Sequence, residues 1–254
     1  LDGIMGKLRA DLPDATDNEF RFIALDILGM NVTVPHKCEI IKELSDIDPL
    51  AARIGAVNTL VRVDGGYKGY NTDAIGLYRE LEEENIIIKD KEVIILGAGG
   101  ASNAITYICA DKGAAKIYLL NRTFDKAKKL ADDVNSHFGD VVVPLAISDY
   151  RLIPEGKYPV IQTTSCGLYP HNDDAPIYDK EFYELVEAGV DIIFNPAKTM
   201  FMKLCKESGA RAYNGLKMLL YQGIAAFELW NDIKVPKNLA DKILGMMERK
   251  LKES

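Results

Sequence analysis

The sequence has little of the chemistry on which disulfide-linked, metal-binding and membrane-spanning proteins depend. Its 254 residues include four cysteines and three histidines. The cysteines form no CxxC pair, which predicts reduced thiols in a cytoplasmic protein, and the histidines lack metal-ligand spacing, so we expect no metal. No apolar run approaches the roughly 20 residues that a membrane span needs. The first residues resemble neither a signal peptide nor a transit peptide.

Basic residues are also fewer than acidic ones, 31 against 38. The formal net charge is −7, which argues against a general affinity for nucleic acid or for an anionic membrane. What the chain has instead is 48% hydrophobic and 27% charged residues, a composition typical of globular proteins. Its length is enough for one large domain or two of ordinary size.

The middle of the chain alternates between short apolar runs and helical patterns. "KEVIIL" is a continuous apolar run that ends in glycines, as expected of a parallel strand buried on both faces. This alternation predicts a doubly wound parallel sheet in an α/β protein. The predicted strands cover residues 91–96, 115–120, 141–145, 159–164 and 190–194, and the predicted helices cover 102–113, 124–138 and 178–189.

The two ends of the chain have a different pattern. The first part is predicted to contain strands at 31–34, 57–63 and 66–70 and helices at 18–28 and 37–45. A helix at 73–85 leads into the middle part, and residues 216–252 are predicted to be almost wholly helical. We therefore expect two α/β domains with a cleft between them. The first domain comprises 1–75 and 216–254, and the second comprises 76–215.

The segment "ILGAGGAS" (95–102) lies between a predicted strand and a predicted helix. Gly97 and Gly99 allow a tight turn and a close approach of the backbone to a pyrophosphate, which the following helix N-terminus stabilises. Ser102 stands where the common fingerprint has Gly or Ala. The placement favours a dinucleotide site, and the alternative is an ordinary tight turn.

The end of the next strand indicates which dinucleotide is bound. Asn121, Arg122 and Thr123 stand where a cofactor with a free ribose 2′-hydroxyl usually meets an acidic residue, and Lys126 follows one turn later. A guanidinium binds a 2′-phosphate bidentately, which favours NADP over NAD. The alternative is that Thr123 is only the N-cap of the helix, and Asp125 would weaken the preference for phosphate.

Polar residues follow three short segments of the first domain. "NVTVPHK", "IGAVNTL" and "GYNTDAIG" present Thr33, Lys37, Asn58 and Asp73, and Gln222 interrupts an apolar helix near the C-terminus. Such residues are usually turn formers or caps. If they converge, they would form a polyol site in which Lys37 and Asp73 are a suitable pair for proton transfer.

These motifs together resemble the shikimate dehydrogenase family. The matching segments are "GMNVTVPHK", "IGAVNTL", "GYNTD", "LGAGGAS", "NRT", "TTSCGL", "FNPAKT" and "GLKMLLYQG". The resemblance covers roughly residues 29 to 230. It implies reversible NADP-dependent reduction of 3-dehydroshikimate to shikimate, a small-molecule partner, and a monomer or homodimer. It also implies a substrate-binding domain and a Rossmann-like NADP domain with the boundaries given above.

The resemblance also implies roles for single residues. Lys37 is expected to be the acid/base, with Asp73 as its partner and a substrate ligand. Other substrate ligands would be Thr33, Asn58 and Gln222. The expected cofactor ligands are Gly97, Ala98, Gly99, Gly100 and Ala101 at the pyrophosphate, Asn121, Arg122, Thr123 and Lys126 at the 2′-phosphate, and Thr164, Gly215 and Met218 at the nicotinamide.

Three departures from the family pattern stand out. The Ser-x-Ser-Pro segment that usually binds the substrate carboxylate is not found before Asn31, which leaves that anchor unassigned. Phe194 stands where Tyr is frequent, and Lys126 where Arg is common. Two alternatives to a strict shikimate dehydrogenase follow: a quinate/shikimate dehydrogenase of relaxed specificity, and a sensor that binds shikimate-like acids without turnover.

Overall fold

The computed structural model describes residues 27–253, which form two compact units. One contains the chain up to Thr72 together with Ala226–Lys234, and the other contains Asp73–Ala225 and Val235–Ser254. The helix predicted at 18–28 lies almost wholly outside the described residues. The functional domain boundaries at 75/76 and 215/216 stay predictions.

The first unit is built on a four-stranded sheet. Its strands are β1 (Gly29–Asn31), β2 (Asp46–Ile47), β3 (Thr59–Val63) and β4 (Gly66–Tyr70), in the order β1-β3-β4-β2. β3 pairs antiparallel with β1 and β4, and β2 pairs parallel with β4. A 3-10 helix (Glu39–Glu43) and helix α1 (Pro49–Ile54) contribute Ile40 and Ala51 to its buried core.

The prediction of a strand at 31–34 was wrong in position. β1 ends at Asn31, and the backbone N–H of Val32 donates to Asn58 O at 2.8 Å. The chain then turns, with His36 N–H donating to Thr33 O at 2.9 Å, and Val34 is 76% exposed rather than anchoring a strand. The helix predicted at 37–45 is the shorter 3-10 helix.

The second unit is built on a six-stranded sheet in which every pair is parallel. In chain order its strands are β5 (Glu92–Leu96), β6 (Lys116–Asn121), β7 (Val142–Ala146), β8 (Tyr158–Gln162), β9 (Val186–Asp191) and β10 (Arg211–Asn214). Their order in the sheet is β10-β9-β8-β5-β6-β7. This is the doubly wound order, which reverses between β5 and β8. The predicted α/β fold class is confirmed.

Seven α-helices lie between residues 72 and 253 of the described chain. They are α2 (Thr72–Glu83), α3 (Gly100–Asp111), α4 (Phe124–Phe138), α5 (Lys180–Glu184), α6 (Met200–Glu207), α7 (Leu216–Asn231) and α8 (Lys237–Glu253). A 3-10 helix covers Ile147–Leu152. None of the helices in the described range is long and apolar enough to cross a membrane.

The helix predicted at 178–189 and the strand predicted at 190–194 were wrong in extent. α5 ends at Glu184, and β9 begins at Val186. Pairing with β8 and β10 keeps residues 186–191 extended, and a Cβ at Gly189 would lie 2.7 Å from the Cys205 sulfur and 3.0 Å from the Phe201 ring, both on α6. α6 therefore packs directly on β9.

Candidate functional site

The glycine loop lies at the carboxyl end of β5, where the strand order reverses. Gly97 has φ +111°, and a Cβ there would lie 2.5 Å from Thr163 Oγ1 on the loop after β8. A side chain at Gly97 is excluded both by conformation and by space. Ser102, where glycine or alanine is more common, is buried, and its hydroxyl donates to Gly97 O at 2.5 Å.

The next two glycines face open space. A Cβ at Gly99 or Gly100 would meet no atom within 4 Å, and helix α3 begins at Gly100 with no side-chain cap. A cavity of about 580 Å³ adjoins the loop; it is lined by Ala98, Gly99, Gly100, Asn103, Lys126, Lys129, Leu130 and Asp133. A helix N-terminus, an open glycine backbone and two lysines fit the pyrophosphate of a dinucleotide.

The residues expected at the 2′-phosphate lie at the carboxyl end of β6 and the start of α4. Asn121 Nδ2 donates to Thr123 O at 2.8 Å, which shapes the turn between them. Thr123 occupies the N-cap position, but its hydroxyl makes no capping hydrogen bond. Arg122, Thr123 and Lys126 are exposed, as is Asp125 in the first turn of α4. The Thr123 hydroxyl is thus not committed to capping α4.

A buried polar network at the ends of β8 and β9 was missed by the sequence reasoning. Asp191 accepts hydrogen bonds from Thr199 Oγ1 at 2.6 Å, from Ile193 N at 3.0 Å and from Gln162 Nε2 at 3.3 Å. Burial raises the pKa of Asp191 to about 6, against the lowering effect of these donors. A lone acid inside the apolar run "VDIIF" was the signal available in the sequence.

Gln162 extends this network into the "TTSCGL" segment. Its Nε2 also donates to Thr164 O at 3.3 Å and to Cys166 O at 3.2 Å, and its Oε1 accepts from the N–H of Thr164. The Thr164 hydroxyl in turn accepts from Cys166 N at 3.2 Å. The backbone on both sides of Thr164 is therefore held by one buried amide.

Gly215 packs against the loop that follows β9. Its N–H donates to Ile193 O at 3.1 Å, and a Cβ on it would lie 2.1 Å from Ile192 O. Asn214 Nδ2 donates to Ala197 O at 3.0 Å, so the start of α7 is joined twice to this loop. Thr164 and Gly215, both expected at the nicotinamide, thus lie on segments joined through Gln162, Asp191 and Ile193.

Helices α2 and α7 approach closely at Gly76, a residue that the sequence reasoning did not single out. A Cβ there would lie 2.7 Å from both Met218 O and Gln222 N. Asp73 lies in the first turn of α2, three residues before Gly76. Gln222 is half-buried, and its Nε2 donates to Leu219 O at 3.1 Å. The glycine brings the helix of Asp73 against that of Met218 and Gln222.

Asn58 is buried in the first unit and organises the start of α2. Its Oδ1 accepts from Thr72 N at 2.7 Å, from Thr72 Oγ1 at 3.1 Å and from Thr59 Oγ1 at 3.1 Å. With the oxygen satisfied in this way, the Nδ2 donor of Asn58 makes no hydrogen bond to a described residue. Asn58 therefore has a structural role that uses its side-chain oxygen and not its Nδ2 group.

Thr33 and Lys37 lie on the turn between β1 and the 3-10 helix. Thr33 is exposed and Lys37 is half-buried. The carbonyl of Lys37 accepts from Val57 N at 2.8 Å, which fixes the turn beside the start of β3 and next to Asn58 in the chain. The structure thus places Thr33, Lys37 and Asn58 in the first unit, and Asp73 and Gln222 in the second.

Comparison with known proteins gives one family. Residues 3–60 match the model of the shikimate dehydrogenase substrate binding domain, residues 80–147 that of shikimate / quinate 5-dehydrogenase, and residues 215–242 that of the shikimate 5′-dehydrogenase C-terminal domain. The chain is 43% identical over 212 residues to shikimate dehydrogenase (NADP(+)) of Geobacillus sp. strain WCH70, covering 83% of this chain and 75% of that protein.

Solved structures agree with this assignment. A chorismate mutase/shikimate 5-dehydrogenase fusion protein from Clostridium acetobutylicum superposes with a TM-score of 0.80 at 34% identity, covering 93% of this chain and 82% of the other. Shikimate 5-dehydrogenase from Thermus thermophilus, solved with NADP(H) and shikimate, gives a TM-score of 0.74 at 30% identity over 90% of this chain and 82% of the other. The chain therefore belongs to the shikimate dehydrogenase family.

Proposed function

We propose that this chain catalyses the reversible, NADP-dependent interconversion of 3-dehydroshikimate and shikimate. The chain is an NADP-dependent oxidoreductase of the shikimate dehydrogenase family. The structural observation that carries the proposal is the glycine loop at the reversal of strand order, where doubly wound sheets bind dinucleotides. NADP⁺, when bound, accepts the hydride that leaves the substrate carbon.

Lys37 is the general acid/base in this proposal. In the oxidation of shikimate, its neutral amine takes the proton of the reacting hydroxyl as the carbonyl forms. In the reverse direction its ammonium returns that proton to the oxygen. Asp73 is the partner of Lys37 and accepts a hydrogen bond from a substrate hydroxyl. The turn at 33–38, held by the bond from Val57 N to Lys37 O, supports this role.

Thr33, Asn58 and Gln222 hold the remaining polar groups of the substrate. Thr33 is exposed. The side-chain oxygen of Asn58 is held by Thr72 and Thr59, which fixes the orientation of its amide and of the Nδ2 donor. A site that donates to substrate hydroxyls discriminates strongly against analogues that lack them. The domain of 1–75 and 216–254 is accordingly proposed as the substrate domain, and 76–215 as the NADP domain.

The residues around NADP have three separate tasks in the proposal. Gly97, Ala98, Gly99, Gly100 and Ala101 bind the pyrophosphate through backbone N–H groups. Asn121, Arg122, Thr123 and Lys126 bind the 2′-phosphate, for which the exposed guanidinium and ammonium provide opposite charge. Thr164, Gly215 and Met218 border the nicotinamide.

The direct test is formation of NADPH from NADP⁺ and shikimate, followed by absorbance. The proposal predicts turnover with a higher kcat/KM for shikimate than for quinate, and for NADP⁺ than for NAD⁺. Equal values with quinate would favour the relaxed quinate/shikimate enzyme, because one matched family model covers both substrates. Calorimetric binding of shikimate without any turnover would instead favour a sensor.

The cellular setting and assembly belong to the same proposal. We propose a cytoplasmic enzyme with no nucleic-acid or membrane partner that is active as a monomer or homodimer. Light scattering coupled to gel filtration of the active protein measures the oligomeric state. A larger assembly would contradict this part of the proposal without bearing on the activity.

A further inference from the structure

The buried network at the carboxyl ends of β8 and β9 contains no residue to which the proposed mechanism assigns a chemical step. Gln162, Asp191 and Thr199 are at most 2% exposed, and every polar group that Asp191 contacts is a donor. Burying a carboxylate costs free energy unless several donors compensate it. Such a group in the middle of an apolar run therefore calls for a reason beyond core packing.

The network is connected to two loops rather than to the sheet interior. Through Gln162, Asp191 reaches both backbone groups of Thr164 and the carbonyl of Cys166. Through Ile193, whose N–H it accepts and whose carbonyl receives the N–H of Gly215, it reaches the start of α7. Thr199, which donates to Asp191 and accepts from Met202 N at 3.3 Å, fixes where the second loop enters α6.

We propose that Asp191 is the positioning residue for the nicotinamide half of the cofactor site. It sets Thr164 and Gly215 at one relative position by accepting hydrogen bonds from Gln162, which holds the loop after β8, and from Ile193 in the loop after β9. This inference rests on the proposed function, which places Thr164 and Gly215 at the nicotinamide. The glycine loop and the end of β6, which bind the rest of the cofactor in this proposal, make no hydrogen bond to the Asp191 side chain in the described chain.

The ionised state is what allows one side chain to accept from Gln162, Ile193 and Thr199 together. The Asp191 carboxylate accepts from three donors through its two oxygens. Oδ1 accepts from Gln162 Nε2 and Ile193 N, and Oδ2 accepts from the Thr199 hydroxyl. Asparagine has the same shape but only one acceptor oxygen, so either the Thr199 hydroxyl or the other two donors would lose their acceptor. The groups that interact electrostatically with Asp191 are Tyr183 and Cys205, and burial raises the pKa of both, so they remain neutral at neutral pH.

Asp179 provides a matched control. Its carboxylate also accepts a short bond from a hydroxyl, Tyr150 Oη at 2.6 Å, and one from a helix N–H, Glu181 N at 3.2 Å. It caps α5 and contacts Arg151, and its hydrogen bonds reach neither Thr164 nor Ile193. Asp191→Asn and Asp179→Asn thus make the same chemical change, the first at a buried carboxylate and the second at a half-buried one.

The experiment compares hydride transfer with binding of a cofactor fragment that lacks nicotinamide. For Asp191→Asn, kcat at saturating shikimate and NADP⁺ is expected to fall about 10- to 100-fold, the cost of a misplaced reacting group. The Kd of 2′-phospho-ADP-ribose, measured by calorimetry, is expected to stay unchanged. Asp179→Asn should change neither quantity. A damaged fold would weaken binding of the fragment as well.

A second pair of variants covers the case in which Asp191→Asn does not fold. Thr199→Val removes the hydroxyl that donates to Asp191, and Thr199→Ser retains it. The valine variant is expected to lose kcat with unchanged fragment binding, and the serine variant to keep the wild-type kcat. Unchanged kcat in both Asp191→Asn and Thr199→Val, or equal losses in kcat and fragment affinity, would overturn the inference. A wild-type protein without turnover would refute the proposed function itself.

Discussion

Glu80 on α2 gives a prediction whose size can be worked out from the structure. Its side chain is 0% exposed, and neither carboxyl oxygen has a hydrogen-bond partner among the described residues. The N–H of Met218 approaches it without reaching hydrogen-bond geometry. Burial raises the pKa of Glu80 to about 8 from an ordinary 4.5, and the nearby Lys217 only partly opposes this.

The consequence is a stability that falls as pH rises. Between pH 4.5 and 8 the folded chain holds the Glu80 proton and the unfolded chain releases it, so increasing pH favours unfolding. The pKa of Glu80 in the folded chain exceeds its ordinary value by about 3.5, from 4.5 to about 8. At about 1.4 kcal/mol per pKa unit, the folded state loses about 5 kcal/mol of stability above pH 8. Glu80→Gln replaces the carboxyl with a neutral amide and removes this cost.

The assay is urea unfolding of wild type and Glu80→Gln from pH 4 to pH 9. The stability of Glu80→Gln relative to wild type should increase with pH by about 5 kcal/mol across this range. Glu82→Gln, an exposed site on the same helix, is the control and should show no such trend. A constant difference between Glu80→Gln and wild type would refute the reasoning, because it would mean that Glu80 ionises in the fold without cost.

Three further predictions concern the proposed site. Gly97→Ala puts a Cβ 2.5 Å from Thr163 Oγ1, so calorimetry should show at least a roughly 10-fold weaker Kd for NADP⁺, and unchanged binding would contradict the loop assignment. Arg122→Gln should reduce the preference for NADP⁺ over NAD⁺ in kcat/KM about 10-fold or more, whereas an unchanged ratio would exclude Arg122 as a phosphate ligand. Asn58→Ala leaves the buried N–H of Thr72 without its acceptor, so urea unfolding should show a loss of about 2 kcal/mol, and full stability would contradict its structural role.

The sequence was most informative where local pattern and tertiary environment agree. β5 is a continuous apolar run because parallel strands are buried on both faces, and its glycines stand where the chain must turn tightly. "NVTV" has the composition of a strand, yet β1 ends at Asn31. The last backbone hydrogen bond to the neighbouring strand region is the one from Val32 N to Asn58 O, after which the chain turns. Composition could not reveal where that pairing stops.

Tertiary contacts account for the features that the sequence left hidden. The "YELVEAG" segment has a helical pattern, but its last residues pair with β8 and β10 as strand β9, and Gly189 packs against Cys205 and Phe201. Gly76 and Asp191 were overlooked for the same reason. The importance of each is set by residues far along the chain, Met218 for the glycine and Gln162 for the acid.

The central claim is that Lys37 transfers the proton, and its replacement is the most direct test. Lys37→Ala should lower kcat for shikimate oxidation by about 10²- to 10⁴-fold, the usual contribution of a general acid/base, with a much smaller change in KM. Lys42→Ala, at an exposed lysine of the adjacent 3-10 helix, is the control and should behave as wild type. A Lys37→Ala protein with normal kcat would contradict the account.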